Sequence, residues 1–401
     1  MEIITRDQYS TKIDQWIGKG MIIVVTGQRR IGKSSILKDF VRRHSQEANA
    51  NIIYIDKERR EYRFIKDQET LGDYLEAQLK KRKHNYILID EIQDIDGWEH
   101  AIRSFRTEDN TDIIITGSNS RMLSSELSTL LSGRYVEIPV HGLSYMEFLL
   151  FHKLPDSDDA LRQYLFYGGL PGLCQIGLTD EDLIWNYQKS VFDTVMLKDV
   201  VERHNIRNIP FLRILIEYLA DTTGKPQSAG NISRHMKSQG LDVSVNMILD
   251  YMSYFREAYL THNIQRYDIH GKRILENLQK VYFGDVGLRN HIVGGERERD
   301  IEKVVETVVY QHLVRLGYSV TVGELRVGEI DFVCQKSNQI RYVQSAYLID
   351  NEDTRMREFG RLSQIRNHYP KYVVSLTPMV KASDYDGVTH LGLREFLRKG
   401  I

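Results

Sequence analysis

Apolar residues follow two different rhythms along this chain. From Met21 to Thr26 they form a continuous, short run rich in β-branched side chains, the pattern of a strand covered on both faces. Equivalent runs recur at Ile52 to Ile55, Tyr86 to Ile89, Ile113 to Thr116 and Tyr135 to Val140, so the first third predicts five buried strands. The segments between them carry helical spacing. Ile36, Leu37, Phe40 and Val41 share one face, as do Leu71, Tyr74, Leu75 and Leu79, and then Trp98, Ile102 and Phe105. Strands alternating with helices predict a parallel α/β sheet.

Beyond Pro139 the rhythm becomes helical, with Tyr145 to His152, Leu161 to Tyr167 and Leu183 to His204 lacking strand-like alternation. They predict a helical lid over residues 141–206, following a core of residues 1–140. Residues 207–290 read as a winged helix: helices near Phe211 to Ala220, Ala229 to Lys237 and Val245 to Ala258, then extended runs Tyr259 to Tyr267 and Lys280 to Phe283 around Asp268, His270 and Gly271. Residues 296–401 read as a small α/β domain. Its order is helix (Ile301 to Leu316), strands (Tyr318 to Val322, Glu329 to Cys334, Gln339 to Ser345), helix (Asp353 to His368) and strand (Tyr372 to Leu376).

With 401 residues, the chain is long enough for two or three units, each with its own core. Lys plus Arg total 54 and Asp plus Glu 55, so nucleic-acid or lipid binding must come from local patches rather than from net charge. Cys174 and Cys334 follow no metal-ligand spacing and read as free thiols of a reducing compartment. No run approaches the ~20 apolar residues of a membrane span. These features predict a cytoplasmic protein without a membrane partner.

Candidate chemistry is concentrated after the first strand. Gly27-Gln28-Arg29-Arg30-Ile31-Gly32-Lys33-Ser34 matches GxxxxGK[ST] between a predicted strand and a predicted helix. Backbone N–H groups of such a loop wrap phosphates at the positive end of the helix, with Ser35 in its first turn. Lys33 is expected to neutralise the β- and γ-phosphates of ATP, and Ser34 to place its hydroxyl on Mg²⁺. Tyr86-Ile87-Leu88-Ile89-Asp90-Glu91 delivers two acids to a strand's carboxyl end, where α/β sheets bind ligands. Asp90 is expected to hold Mg²⁺ through its water shell and Glu91 to deprotonate the attacking water. The next strand ends in Thr116-Gly117-Ser118-Asn119, which places Asn119 or Ser118 near the γ-phosphate or the water, or simply forms a turn. Arg134, in Leu131-Ser132-Gly133-Arg134, is a candidate finger on a neighbouring subunit's nucleotide, with a surface ion pair as the other reading. Thr11-Lys12-Ile13-Asp14 matches a guanine-reading motif but follows no strand, so it is assigned to an N-terminal helix.

Together these motifs resemble the AAA-type P-loop ATPases, and more narrowly a prokaryotic family with a C-terminal domain of unknown function that is similar to the PD-(D/E)xK nuclease fold. The resemblance spans nearly the whole chain, including Tyr167-Gly168-Gly169-Leu170-Pro171 and Glu329-Ile330-Asp331-Phe332. It implies ATP hydrolysis with Mg²⁺ and a homo-oligomer as a candidate assembly. The lid lacks an arginine in the second-sensor position, which favours the switch-like relatives in which a Gly-x-Pro turn contacts nucleotide. Gly168 and Pro171 equally fit a plain tight turn.

Two further readings concern partners. Arg234, Lys237, Arg256, Arg266, Lys272 and Arg273 make DNA a candidate partner of the winged helix, while such domains also serve as packing modules and a protein partner stays open. A PD-(D/E)xK site needs a helical acid, an Asp on one strand and Glu-x-Lys on the next. Glu306 and Asp331 fill the first two roles, but Gln344 and Ala346 stand where Glu and Lys belong. Cleavage is therefore not expected unless a lysine such as Lys336 enters from elsewhere, and Gln344 offers a metal at most one carbonyl oxygen.

Overall fold

A computed structural model describes residues 4–108, 110–120, 133–294, 300–326, 328–378 and 383–401, without the side chains of residues 276 and 277. The chain divides into two compact units, Met1–His141 with Glu257–Tyr259, and Gly142–Arg256 with Leu260–Ile401.

The first unit is a five-stranded, wholly parallel sheet: β1 (Ile22–Thr26), β2 (Ala50–Asp56), β3 (His84–Asp90), β4 (Thr111–Gly117) and β5 (Tyr135–Pro139), in the order β2-β3-β4-β1-β5. All five residues of β1 are buried, as their unbroken apolar run requires. β5 departs from the expectation of a buried strand: it lies at the sheet edge, and within it only Ile138 is buried. The connecting helices are Lys33–His44, Gln68–Gln78 and Trp98–Phe105. Asp67 and Thr70 form a reciprocal capping box that starts the second of these. Leu71, Leu75, Trp98, Ile102 and Phe105 pack with Ile53, Ile55, Ile87, Ile89, Ile113 and Ile115 in one core. Thr11 to Asp14 lie in helix Asp7–Asp14, as assigned from sequence. Its Ser10 hydroxyl and the preceding Thr5 donate to the buried Asp39 carboxylate, and Arg43 bridges Asp39 to Asp14.

The second unit opens with helices Tyr145–His152, Asp158–Tyr167 and Glu181–Thr194, the last continuing as a π-helix over Val195–Glu202. Helices Ile209–Asp221, Ala229–Ser238 and Val245–Glu257 follow. The two runs read as a wing form β6 (Thr261–Asp268) and β7 (Arg273–Phe283), paired antiparallel. Strands β8 (Ser319–Glu324), β9 (Glu329–Lys336), β10 (Gln339–Ala346), β11 (Lys371–Ser375), β12 (Ser383–Tyr385) and β13 (Val388–Gly392) complete one eight-stranded sheet with the order β12-β13-β11-β10-β9-β8-β6-β7. β6 joins β8 in parallel, so the sequence boundary near residue 290 does not separate two sheets.

Alternation along the strands serves two cores. Val343 and Val374 meet Val304, Val305, Val308 and Val309 of helix Ile301–Arg315, whereas Tyr342 and Val373 meet Phe359 and Leu362 of helix Glu352–Ser363. Helices Val286–Ile292 and Leu393–Lys399 and the short strands β12 and β13 go beyond the expected elements. Each is too short to show a period of its own.

Candidate nucleotide site

Parallel pairing brings the carboxyl ends of β1, β3 and β4 side by side, with Thr26 opposite Gly117 and Asp56 opposite Asp90. Three neighbouring strands therefore deliver their polar termini to one edge of the sheet.

The loop after β1 takes its shape from backbone that a side chain would obstruct. Gly27 has φ +143°, and a Cβ there would stand 2.3 Å from the Val140 carbonyl oxygen. Gly32 has φ +96° and immediately precedes helix Lys33–His44, so the free N–H groups of that helix open toward the loop. Lys33 is buried and donates to the Gly27 and Gln28 carbonyls at 2.9 and 3.1 Å. Gln28 is buried too, and neither its amide nitrogen nor its amide oxygen has a hydrogen-bond partner among the described residues. Ile31 packs inward, Ser34 is half-buried, and Arg30 and Ser35 are exposed, Arg30 in the left-handed region at φ +67°.

The acids at the end of β3 occupy distinct environments. Asp90 is buried; its Oδ1 accepts from the Thr116 hydroxyl at 2.5 Å, and the Ser34 hydroxyl also bonds to it. Burial pushes its carboxyl up, against the hydrogen bonds of Thr116 and Ser34, with Glu91 and Asp56 adding to the rise. Glu91 lies in the left-handed region at φ +57°, its N–H held by Thr116 Oγ1 at 2.9 Å. Its carboxylate lies 3.7 Å from Lys33 Nζ and 4.0 Å from Arg29, and accepts from Gln93 Nε2. Burial is the largest single influence on Glu91 and acts upward. Lys33, Arg29, Gln93 and Ser118 together outweigh it and hold the carboxyl below its ordinary value. Glu91 is thus an ionised, buried carboxylate, the state a proton acceptor requires.

Lys33, Ser34, Asp90, Glu91 and Ser118 are drawn together at this edge, and Asn119 is fully buried directly after Ser118. Arg134 is not. It is exposed just before β5, beside the start of β1, since Ile22 donates to its carbonyl and pairs with Tyr135. The length of β1, about 16 Å at the usual rise per residue, separates it from the loop of its own chain. Leu131 and Ser132 of its motif lie outside the described residues.

Gln93 and Arg6 carry no signal in the sequence, and Thr116 and Arg29 stand there only as members of their motifs. Thr116 ties Asp90 to the Glu91 backbone, a role that a strand-terminal threonine does not announce. Arg6 is buried, stacks 4.5 Å from the Tyr9 ring centroid, and donates to the Ile31 and His141 carbonyls. It braces the loop from the position just before helix Asp7–Asp14.

Elsewhere, Gly168 and Gly169 pack against Asp285, which accepts from Gly169 N–H at 2.7 Å and caps helix Val286–Ile292. A Cβ on Gly168 would lie 2.5 Å from Asp285 Oδ1, so this turn is built for close approach within the second unit. The basic residues proposed for DNA are largely engaged locally: Lys237 with Asp242, Arg266 with Glu324 and Arg273 with Asp268. Gln344 does not present a carbonyl to a metal. Its Oε1 accepts from Asp331 N–H and its Nε2 donates to Glu358. Lys336 donates to the Leu316 carbonyl, and no contact brings it to Asp331.

No helix among the described residues is long and apolar enough to cross a membrane. Residues 19–149 match the model of an AAA domain, and residues 158–299 match a domain of unknown function. An uncharacterized protein of Haemophilus influenzae is 35% identical over 381 residues, 93% of either chain. One from Methanocaldococcus jannaschii is 28% identical over 352 residues, covering 84% of this chain and 77% of that one. Among solved structures, the Walker-type ATPase of Pyrococcus abyssi superposes with a TM-score of 0.52 at 16% identity, covering 72% of this chain and 96% of that one. The chain belongs to the family of the Haemophilus influenzae protein and carries, in its first unit, the α/β fold of an AAA-type P-loop NTPase.

Proposed function

We propose that the chain binds ATP at Gly27–Ser35 and hydrolyses its β–γ anhydride with Mg²⁺, coupling the cycle to rearrangement of the winged-helix and nuclease-like modules. The observation that carries this reading is the juxtaposition of Lys33, Ser34, Asp90 and an ionised Glu91 at the sheet edge. The residues fit the ligands. Gln28 keeps a buried amide for a polar group, and Gly27 clears space that any side chain would fill. Ser34 and Asp90 offer the hard oxygens suited to Mg²⁺, which keeps most of its waters and needs few protein ligands. When bound, the ion would supply neutralisation of the negative charge on the reacting phosphates. Lys33 exchanges the loop carbonyls for phosphate oxygens, loop N–H groups orient the chain of phosphates, and Glu91 Oε1 or Oε2 takes the proton of the attacking water. Asn119 or Ser118 positions that water or the γ-phosphate. Calorimetry with Mg·ATP is expected to give one site per chain, followed by phosphate release in a steady-state assay. No heat of binding would overturn the proposal.

Arg134 lies too far along β1 to serve its own nucleotide, which supports the trans reading in a homo-oligomer. ATPase activity per subunit is then expected to rise with protein concentration, and Arg134→Ala is expected to lose that rise. Concentration-independent turnover would leave Arg134 a surface residue.

A second reading, a slow switch that recruits a protein or DNA partner, is favoured by the contacts of Glu91. Lys33, Arg29 and Gln93 all lower its basicity, and a weaker base hydrolyses more slowly. The steady-state rate separates the two, since a timer turns over far below the usual enzyme range of about 1–10³ per second.

A further inference from the structure

The second unit contains an ion cluster that the nucleotide site does not use. Lys280 on β7 projects its ammonium between three carboxylates: Glu329 Oε1 at 2.7 Å, Glu306 Oε1 at 2.9 Å and Asp331 Oδ1 at 3.6 Å. Its side chain is 4% exposed. An ammonium has three N–H donors and no acceptor, so three acid oxygens are the complement it needs. The acids come from one helix and one strand, Glu306 from Ile301–Arg315 and Glu329 and Asp331 from β9, whereas the cation comes from β7, three places away in the sheet.

The surroundings are built as well. Glu306 Oε1 also accepts from the Tyr282 hydroxyl at 2.6 Å, and Asp331 Oδ2 accepts from Ser345 N–H and Oγ at 2.9 and 3.1 Å. Gly224, at φ +77°, closes over the cluster, where an added Cβ would stand 2.8 Å from Glu306 Oε2. Burial works hardest against the charged lysine, but Glu306, Asp331 and Glu329 more than reverse it and hold the ammonium protonated. Burial pushes Glu306 up to about 7, against Lys280 and with the help of Asp331. One monovalent cation therefore balances a group of oxygens whose formal charge exceeds its own.

The same positions, a helical acid and an acid on the adjoining strand, are those at which a nuclease-like domain would coordinate a divalent ion. Here β10, the strand that would supply Glu-x-Lys, has the neutral Gln344 and Ala346 at those positions, and Gln344 is turned to Glu358. We propose that Lys280 is a built-in cation that occupies a divalent-metal position among Glu306, Glu329 and Asp331, so that the natural chain takes no metal there and removing the ammonium turns the same carboxylates into a divalent cation site. The ammonium and a hard divalent ion compete for the same oxygens, and only the ammonium is tethered. The domain is then held together by an internal ion cluster in place of a metal, and it does not cleave nucleic acid.

The test is Mn²⁺ binding to the full-length, nucleotide-free protein, read by calorimetry and by the loss of free-ion electron paramagnetic resonance signal. Lys280→Met keeps an unbranched side chain of similar length and loses its charge. It is expected to gain one Mn²⁺ site with affinity about tenfold or more above any background of the natural chain, and to lose it again in Lys280→Met/Asp331→Asn. Mn²⁺ should also raise the melting temperature of Lys280→Met but not that of the natural protein. Should Lys280→Met fail to fold, Lys280→Met/Glu306→Gln removes one negative charge with the positive one and is expected to bind Mn²⁺ through Glu329 and Asp331. A folded variant of either kind without a new site overturns the proposal. So does Mn²⁺ uptake by the natural protein that Asp331→Asn abolishes, because the ammonium would then accompany a metal rather than replace it.

Discussion

Glu91→Gln is expected to bind Mg·ATP as the natural protein does and to hydrolyse it about 10²- to 10⁴-fold more slowly, the usual contribution of a general base. The amide preserves the shape of the side chain and its place at φ +57°, and the Glu91 N–H keeps its bond to Thr116. What it loses is the negative charge that faces Lys33 and Arg29. Calorimetry and steady-state phosphate release on the same preparation measure the two quantities separately. Equal turnover in the two proteins would remove Glu91 from the mechanism and transfer water activation to another group at the edge.

Lys33→Ala acts on the other side of the same contact. An ammonium that hydrogen-bonds a charged group contributes up to about 3 kcal/mol, so affinity for ATP is expected to fall on the order of 100-fold or more. The substitution also strips Glu91 of the first of the positive charges that hold its carboxyl down, leaving Arg29 and the hydrogen bonds against burial. The residual carboxylate is then easier to protonate, so any remaining turnover should fall at a higher pH on the acid side than in the natural protein. Undiminished affinity in a variant with an unchanged melting curve would contradict the placement of phosphates in this loop.

Much of the first unit is legible in the sequence alone. Continuous β-branched runs can only be satisfied by strands covered on both faces, and helical spacing between them leaves a parallel sheet as the economical solution. The loop Gly27–Ser34 carries its own conformational instructions, because glycines at positive φ and a helix start leave little else for it to do. β5 departs in one respect: it lies at the sheet edge, where Glu137 and Pro139 interrupt the apolar run that the interior strands keep unbroken.

The residues that act on the loop from a distance were not legible. Arg6 reaches Ile31 from the N-terminal segment, and Thr116 binds both neighbours of the Asp90–Glu91 junction through one hydroxyl. Neither belongs to a spacing rule, since each works through a contact between segments that are distant along the chain. Lys280 illustrates the same limit more sharply. In sequence it is one lysine in an extended run, separated from Glu306 by helix Val286–Ile292 and from Glu329 and Asp331 by helices Val286–Ile292 and Ile301–Arg315 and strand β8.

By itself, then, the sequence determined the local elements of the core, the phosphate-binding loop and the pair of acids that end β3, because each is specified by neighbours in the chain. Tertiary structure alone decided that β6 and β7 extend the C-terminal sheet, that Glu91 is an ionised carboxylate, and that Lys280 fills a carboxylate triad. Sheet order, burial and the sign of the nearest charge are properties of segments brought together across the fold, and no periodicity along one segment encodes them.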